Sequence, residues 1–372
     1  MTSYPNIFTR LWTAFKPTPV RKTENPLRFG ILGAAKITPV ALILPANQIP
    51  DVLVVAVAAR DKARAEAFAK KHGIPNVFDD YQSLIESDVV EAIYIPLPNG
   101  LHFEWAKRAL EAGKHVLLEK PSVSNATQAA ELIALSAKHP NLILLEAFHY
   151  RFHPAATRFY DLTRSATYGP LTHVSARLFI PPIFPSTDIR FDWSLAGGTT
   201  MDTGAYTLNS VRWLLGAEPV RVTSAAVTKF SKTHDQIDVE TTAELEFPPA
   251  AGSDTPRTAT VEHSLGSSWL SPSRFLGFLR AETETHTLIY WNFIAPYFWH
   301  SIRITDKATN VVSYEKVYGT TGWTTYTYQL EAFVKAVRTG EKAPGWITDE
   351  ELVGNMTAID LVYEKLGLLK RE

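Results

Sequence analysis

The chain has 372 residues, 45% hydrophobic and 20% charged, and contains no cysteine. Its formal net charge is −1, which removes the electrostatic case for binding nucleic acid or a membrane surface. The missing thiols exclude disulfides, thiolate metal sites and cysteine nucleophiles. The length predicts two domains, no apolar run reaches the length of a membrane span, and the composition is that of a soluble globular enzyme, expected in the cytoplasm.

Residues 1–26 precede the first strand. Ile7, Phe8, Leu11, Trp12 and Phe15 fall on one side of a short helix, while Arg10, Lys16, Arg21 and Lys22 are basic and no acid occurs before Glu24. Two readings stand: an arm that packs on its own or a neighbouring subunit, which is the favoured one, and a mitochondrial presequence.

Leu27 to Leu32 reads as a first strand, followed by Gly33-Ala34-Ala35-Lys36-Ile37-Thr38. This is a G-x-G-x-x-G turn with Ala35 and Thr38 at the second and third glycine positions. Its glycine makes the tight turn, and its backbone N–H groups face a pyrophosphate. Gly33, Ala35, Lys36 and Ile37 are therefore candidate dinucleotide contacts. Thr38-Pro39 reads as a helix start with threonine as cap. The second strand, Val52 to Ala59, ends in Arg60 where an NAD site would carry an acid for the ribose hydroxyl. With Lys62 and Arg64 nearby, Arg60 favours a 2′-phosphate, hence NADP over NAD.

A helix over 61–72 and a second short one after Asp80 follow. Val89 to Ile95 is the next strand, ending in Pro96-Leu97-Pro98-Asn99. Asn99 is expected to cap a helix over 101–112, with His102 in its first turn facing the ligand crevice; Pro98, Asn99 and His102 are candidate cofactor contacts. His115 to Leu118 is a buried strand that ends in Glu119-Lys120-Pro121. Ligands of open α/β sheets lie at the carboxyl ends of strands, so Glu119 and Lys120 join the cofactor set. A lysine there is placed to hold a substrate hydroxyl. A helix over 125–138 and a strand over 141–145 complete a Rossmann-type domain, 27–150.

The second domain is expected over 151–372. The segment Glu146 to Pro154 begins the crossing; Glu146 and Arg151 either line the substrate crevice or form a structural ion pair. His149 and His153 are four apart, but Pro154 follows and no carboxylate-rich partner set is evident, so no metal is assigned. A strand over 171–179 leads to a proline-rich loop and Asp188 to Trp193, expected to rim the substrate site. Gly197 to Asn209 then reads GGTTMDTGAYTLN. Asp202 and Tyr206, four apart, share one helical face near its start, and Asn209 continues it. Strands over 220–230, 239–247, 258–265, 275–282, 287–293 and 301–306 alternate as in an antiparallel sheet with one wetter face. The aromatic run from Trp269 to Trp299 suggests a sheet face covered by helices or, preferably, by another subunit. Helices follow over 325–339 and 348–369, the latter opened by a capping sequence and expected to pack back on the first domain.

The strand–helix order, the phosphate turn, the Glu119-Lys120-Pro121 triplet and the segments 146–154 and 197–209 together resemble the Gfo/Idh/MocA (glucose-fructose oxidoreductase/inositol dehydrogenase/rhizopine catabolism) family. The resemblance implies an α/β Rossmann domain followed by an α+β domain with a large, mostly antiparallel open sheet. It places the Lys120 position beside nicotinamide and the reacting carbon, admits a cis peptide before Pro121, and makes Tyr206 a general acid/base and Asp202 a ligand of a sugar hydroxyl. Tyrosine at that position resembles the dimeric dihydrodiol dehydrogenase and xylose dehydrogenase branch. Catalytic residues are then Lys120, Tyr206 and Asp202, and substrate contacts Asp202, Asn209, Arg151 and Trp193. The implied function is NADP-dependent oxidation of a carbohydrate or diol, foremost an aldose to its lactone, by a homodimer or homotetramer joined through the second sheet. The alternatives are a dihydrodiol dehydrogenase, an oxidoreductase that never releases NADP, and a catalytically silent NADP-binding sensor.

Overall fold

The computed structural model describes residues 6–231, 233–266 and 277–372. The chain divides into two compact units. The first comprises Met1–Val123, Gln128–His153 and Tyr318–Asp349; the second comprises Ser124–Thr127, Pro154–Val317 and Glu350–Glu372.

The first unit is built on a six-stranded parallel sheet ordered β3-β2-β1-β4-β5-β6. Its strands are β1 (Leu27–Leu32), β2 (Val52–Ala58), β3 (Asn76–Phe78), β4 (Ala92–Ile95), β5 (His115–Leu118) and β6 (Leu144–Glu146). The central strands are apolar along nearly their whole length because both faces are covered. The helices are α1 (Ile7–Phe15), α2 (Leu44–Gln48), α3 (Lys62–His72), α4 (Tyr81–Glu86) and α5 (His102–Glu111). The order reverses between β1 and β4, so a crevice opens there at the carboxyl ends of the strands, the doubly-wound arrangement for a dinucleotide. Local chemistry fixes the helix ends. Asp61 accepts the Arg64 N–H at 3.1 Å to cap α3, and Asp80 accepts the Ser83 N–H at 2.7 Å to cap α4.

The second unit carries an eight-stranded sheet ordered β14-β13-β12-β11-β7-β10-β9-β8. Its strands are β7 (Leu171–Phe179), β8 (Arg221–Lys229), β9 (Asp238–Phe247), β10 (Arg257–Ser264), β11 (Phe278–Thr283), β12 (His286–Trp291), β13 (Ser301–Asp306) and β14 (Val312–Glu315). All neighbours run antiparallel except β7 and β10, which run parallel. Alternate residues such as Val174, Ala176, Ala259, Val261, Leu279 and Ala281 are buried. The helices are α6 (Ala126–Ser136), most of which belongs to the first unit, α7 (Pro154–Thr163), α8 (Ala205–Leu215), α9 (Thr325–Thr339), which lies wholly in the first unit, and α10 (Asp349–Leu366). Every residue of α8 is buried, and the helix packs on β7 and β10.

Several expectations are corrected. The helix over 348–369, expected to return to the first domain, groups from Glu350 onward with the second unit. It is α9 that joins the first unit, where Phe333 meets Phe29 of β1 with ring centroids 5.7 Å apart. Thr38 does not cap: its backbone is already helical, and a π-turn (Pro39–Ile43) follows directly. Asn99 lies inside a 3-10 turn (Asn99–Leu101), and the N-cap position of α5 is taken by Leu101. Part of the aromatic run is covered by the chain itself: Tyr290 and Phe293 are fully buried, and Tyr290 packs on Phe159 of α7 at 5.4 Å. Trp269 and Phe275, with the start of the strand expected at 275, lie outside the described residues.

Candidate active site

In the first unit the dinucleotide turn follows β1. Gly33 has φ +97° and donates its N–H to the Ala58 carbonyl at 2.7 Å. An added Cβ there would stand 3.1 Å from Leu97 and in a backbone region that other residues rarely adopt. Ala35 is half-buried, Lys36 and Ile37 are exposed, and Thr38 is fully buried. The Thr38 Oγ1 finds no hydrogen-bond partner among the described residues, which is costly for a buried hydroxyl.

Arg60, after β2, is exposed, and its backbone N–H bonds the Tyr81 hydroxyl. Burial raises the Tyr81 pKa against the opposing influence of that bond and of Arg60 and Arg64. Arg64 reaches the turn itself, its Nη2 donating to the Ala34 carbonyl at 3.3 Å. A tight turn at a buried glycine followed by exposed Lys36 and Ile37, an orphaned buried hydroxyl and two guanidinium groups suit a phosphorylated dinucleotide.

At the next strand ends, Pro98 and Asn99 are half-buried after β4, and Glu119 and Lys120 are half-buried after β5. The Tyr94 hydroxyl donates to Glu119 Oε1 at 2.7 Å, and the Lys120–Pro121 peptide is cis. His102 does not face a crevice. It is 0% exposed, with Nδ1 2.8 Å from the Pro121 carbonyl and Nε2 2.8 Å from the Leu97 carbonyl. It braces the loops after β4 and β5 and is a supporting residue, not a cofactor contact. Burial is the larger influence on its pKa, lowering it to about 4; the two carbonyls oppose this and the Lys120 charge adds to it. A neutral ring has one N–H and so satisfies one carbonyl.

Behind the same strand end, His149 is buried with Nδ1 2.7 Å from Thr325 Oγ1 and its ring 3.9 Å from Tyr326. Burial, then the Lys120 charge, lowers its pKa to about 3. Glu146 Oε1 accepts the Ser122 N–H at 2.8 Å. Arg151, expected at the substrate, is 2% exposed and donates from Nη2 to the Trp346 carbonyl at 3.3 Å, a structural position.

In the second unit, Asp202 lies on a π-helical turn (Thr200–Gly204), and Tyr206 on the α8 turn that continues it. Such turns recur at functional sites. The turn is seated on His263 of β10. Thr200 Oγ1 lies 3.0 Å from its Nε2, Thr207 Oγ1 3.1 Å from its Nδ1, and a Cβ added to Gly204 would stand 2.7 Å from Nε2. The hydroxyls both donate and accept, so a neutral ring is fully satisfied. Burial lowers the His263 pKa to about 4.

Asp202 is not free to act alone: Arg190 Nε donates to its Oδ2 at 2.8 Å, and Arg190 Nη1 to Asp188 Oδ1 at 3.0 Å. Tyr206 is 7% exposed and Asn209 only 1%, so the Asn209 amide sits inside the protein. Trp193 is half-buried beside the cluster of Phe191, Ile237 and Leu265. Sequence reasoning missed Arg190 and His263. Arg190 stands in a loop marked as a rim, but a lone histidine in an alternating strand carries no signal of the threonines it meets. Among the described residues no group of three or more His, Asp or Glu forms a metal site, and no helix is long and apolar enough to cross a membrane.

Comparison with known proteins agrees with this architecture. The model of an oxidoreductase family with an NAD-binding Rossmann fold matches residues 27–147, and that of the GFO/IDH/MocA C-terminal domain matches residues 157–264. The chain is 35% identical over 351 residues to D-xylose 1-dehydrogenase (NADP(+)) 2 of Haloferax volcanii, covering 91% of this chain and 97% of that protein. It is 35% identical over 208 residues to trans-1,2-dihydrobenzene-1,2-diol dehydrogenase of Sus scrofa, covering 55% of this chain and 60% of that one. The crystal structure of KijD10, a 3-ketoreductase from Actinomadura kijaniata in complex with NADP and TDP-benzene, superposes with a TM-score of 0.77 at 26% identity, covering 92% of this chain and 98% of that one. The chain belongs to the Gfo/Idh/MocA family of oxidoreductases.

Proposed function

We propose that the protein is an NADP-dependent dehydrogenase that oxidises an aldose of the xylose or glucose type at its anomeric carbon, giving a lactone. The observation that carries this reading is Lys120 at the carboxyl end of β5, one strand from the point where the sheet order reverses. The 35% identity to an NADP-dependent D-xylose dehydrogenase along 91% of the chain supports it.

Gly33 to Ile37 hold the pyrophosphate, Arg60 and Arg64 the 2′-phosphate, and Pro98, Asn99 and Glu119 line the path to the nicotinamide end. Bound NADP supplies the hydride acceptor. Tyr206, as phenolate, takes the proton of the anomeric hydroxyl. Lys120 supplies positive charge to the oxygen as its proton leaves. Asp202, fixed by Arg190, accepts a hydrogen bond from a neighbouring sugar hydroxyl. We further take the chain to assemble as a homodimer or homotetramer through the outer face of the second sheet, where Phe278 and Trp291 stay half-buried.

The test is absorbance at 340 nm with NADP and a panel of aldoses, polyols and trans-dihydrodiols. Expected is a rise with an aldose, reduced roughly 10²- to 10⁴-fold in Tyr206→Phe and Lys120→Met. A rise with dihydrodiols alone replaces the sugar with a diol. No turnover despite co-purified NADP points to an enzyme that does not release its cofactor. No turnover with NADP bound reversibly sinks the dehydrogenase reading in favour of a sensor.

A further inference from the structure

Arg371 lies in the segment after α10, and its side chain is 0% exposed. Its guanidinium carbon stands 4.3 Å from the ring centroid of Trp193 and 4.2 Å from that of Tyr363. Its fork is almost fully used. Nε donates to the Gly197 carbonyl at 2.7 Å, Nη1 to the Leu369 carbonyl at 3.0 Å, and Nη2 to the Gln236 carbonyl at 2.9 Å and to Asp238 Oδ1 at 3.0 Å.

Asp238 is equally buried and equally engaged. Oδ1 also accepts from the Tyr363 hydroxyl at 3.2 Å, and Oδ2 accepts the Thr200 N–H at 2.6 Å. One ion pair therefore grips both ends of Gly197–Thr200, the four residues that lead into the π-turn. Gly198, between them, has φ +128°, and a Cβ there would stand 2.8 Å from Arg371 Nη2 and 3.0 Å from the Tyr363 hydroxyl.

An enclosed ion pair is a poor way to gain stability, because apolar groups of the same volume do as well or better. Here the pair does something apolar groups cannot: it fixes a carbonyl and an N–H three residues apart. Lysine would not replace the arginine, since a compact ammonium neither stacks between two rings nor presents a planar fork.

We propose that Arg371, acting through Asp238, is a positioning residue for the reaction: it sets the placement of the turn bearing Asp202 and Tyr206 without touching substrate or NADP. Trp193 is then one cover of the guanidinium and acts through it. The proposal rests on Tyr206 being the acid/base, as argued above.

The test uses the full chain carrying Arg371→Lys, Arg371→Ala or Trp193→Phe. Sugar turnover, NADP affinity by fluorescence titration and hydrogen exchange of peptides spanning 197–206 are measured on each. Expected in Arg371→Lys are a fall in kcat of at least tenfold, an NADP Kd within twofold of the parent, and faster exchange confined to that segment. Trp193→Phe should give the same pattern more weakly. In Arg371→Ala, millimolar ethylguanidinium should restore kcat at least fivefold. If Arg371→Ala does not fold, the other two variants decide. Unchanged exchange over 197–206 in Arg371→Lys overturns the proposal, as does a fall in kcat matched by an equal loss of NADP affinity. A parent protein that oxidises no sugar overturns the proposed function instead, while faster exchange in the variants still supports the coupling.

Discussion

The two units present their candidate catalytic side chains by different means. In the first, Lys120 follows a strand whose position is set by backbone pairing to β4 and β6. In the second, Asp202 and Tyr206 ride on a helical turn held by side chains: the Thr200 and Thr207 hydroxyls on His263, and the Asp238 carboxylate on the Thr200 N–H. Backbone ladders tolerate changes of side chain. A turn wrapped around one buried imidazole does not. The strand-end site should therefore lose affinity when a contact is removed, and the turn should lose its shape.

The largest effect expected in the first unit is of the former kind. Replacing Arg60 and Arg64 together with alanine removes the two guanidinium groups at the dinucleotide turn and should weaken NADP binding roughly tenfold to a hundredfold, since bonds to charged groups are the strong ones. NAD binding and thermal midpoint should hold. Parallel titrations with both dinucleotides decide it, and an equal loss for NAD would assign the arginines to the fold.

A smaller effect separates the two regions directly. Gly204→Ala puts a Cβ 2.7 Å from the His263 ring, and overpacking of this kind costs about 1–3 kcal/mol. Glu119→Gln keeps an acceptor for the Tyr94 hydroxyl on a half-buried strand end and should cost under about 1 kcal/mol. Urea midpoints of the two variants measure the difference. Equal costs would break the distinction between a site set by backbone and one set by side chains.

The same distinction explains what was legible in the sequence. β1 and β5 were readable to the residue because buried strands write themselves as apolar runs, and β7 because its period is that of a strand with one buried face. The span of α9 was legible too, while its Thr324 cap shows only in the structure. The strand-end positions of Gly33, Arg60 and Lys120 followed from those runs. What stayed hidden depended on tertiary partners. The amphipathic pattern of α9 carries no mark of the sheet it covers. The histidine at 102 sits where a ligand contact is expected, and only the carbonyls of Leu97 and Pro121 reveal it as a brace. Thr38 looks like a cap, yet its backbone is already helical because the π-turn begins at Pro39. Arg190, His263 and Arg371 each act on the second turn from distant points in the chain.

The mildest lever is pH, and its sign follows from the three buried rings whose pKa values fall furthest. Burial lowers the pKa values of His102 and His263 to about 4 and that of His149 to about 3, from an ordinary value of 6.5. Each ring is neutral in the fold, while in the unfolded chain it takes up a proton below pH 6.5. Stability carried by these groups is therefore complete above that pH. It falls as pH drops toward the folded values, by about 1.4 kcal/mol per pH unit for each ring.

The first unit holds His102 and His149, with His72 and His115 also lowered by burial, and the second holds His263, with His173 also lowered, so hydrogen-exchange protection of first-unit peptides should decline more steeply between pH 6.5 and 4.5. Equal slopes would break the comparison at its electrostatic root. His102→Gln sharpens it. If burial governs that ring, the variant flattens the first-unit slope by one proton. If the two carbonyls hold it protonated, the slope does not change, and the brace behind half-buried Lys120 is itself a buried cation.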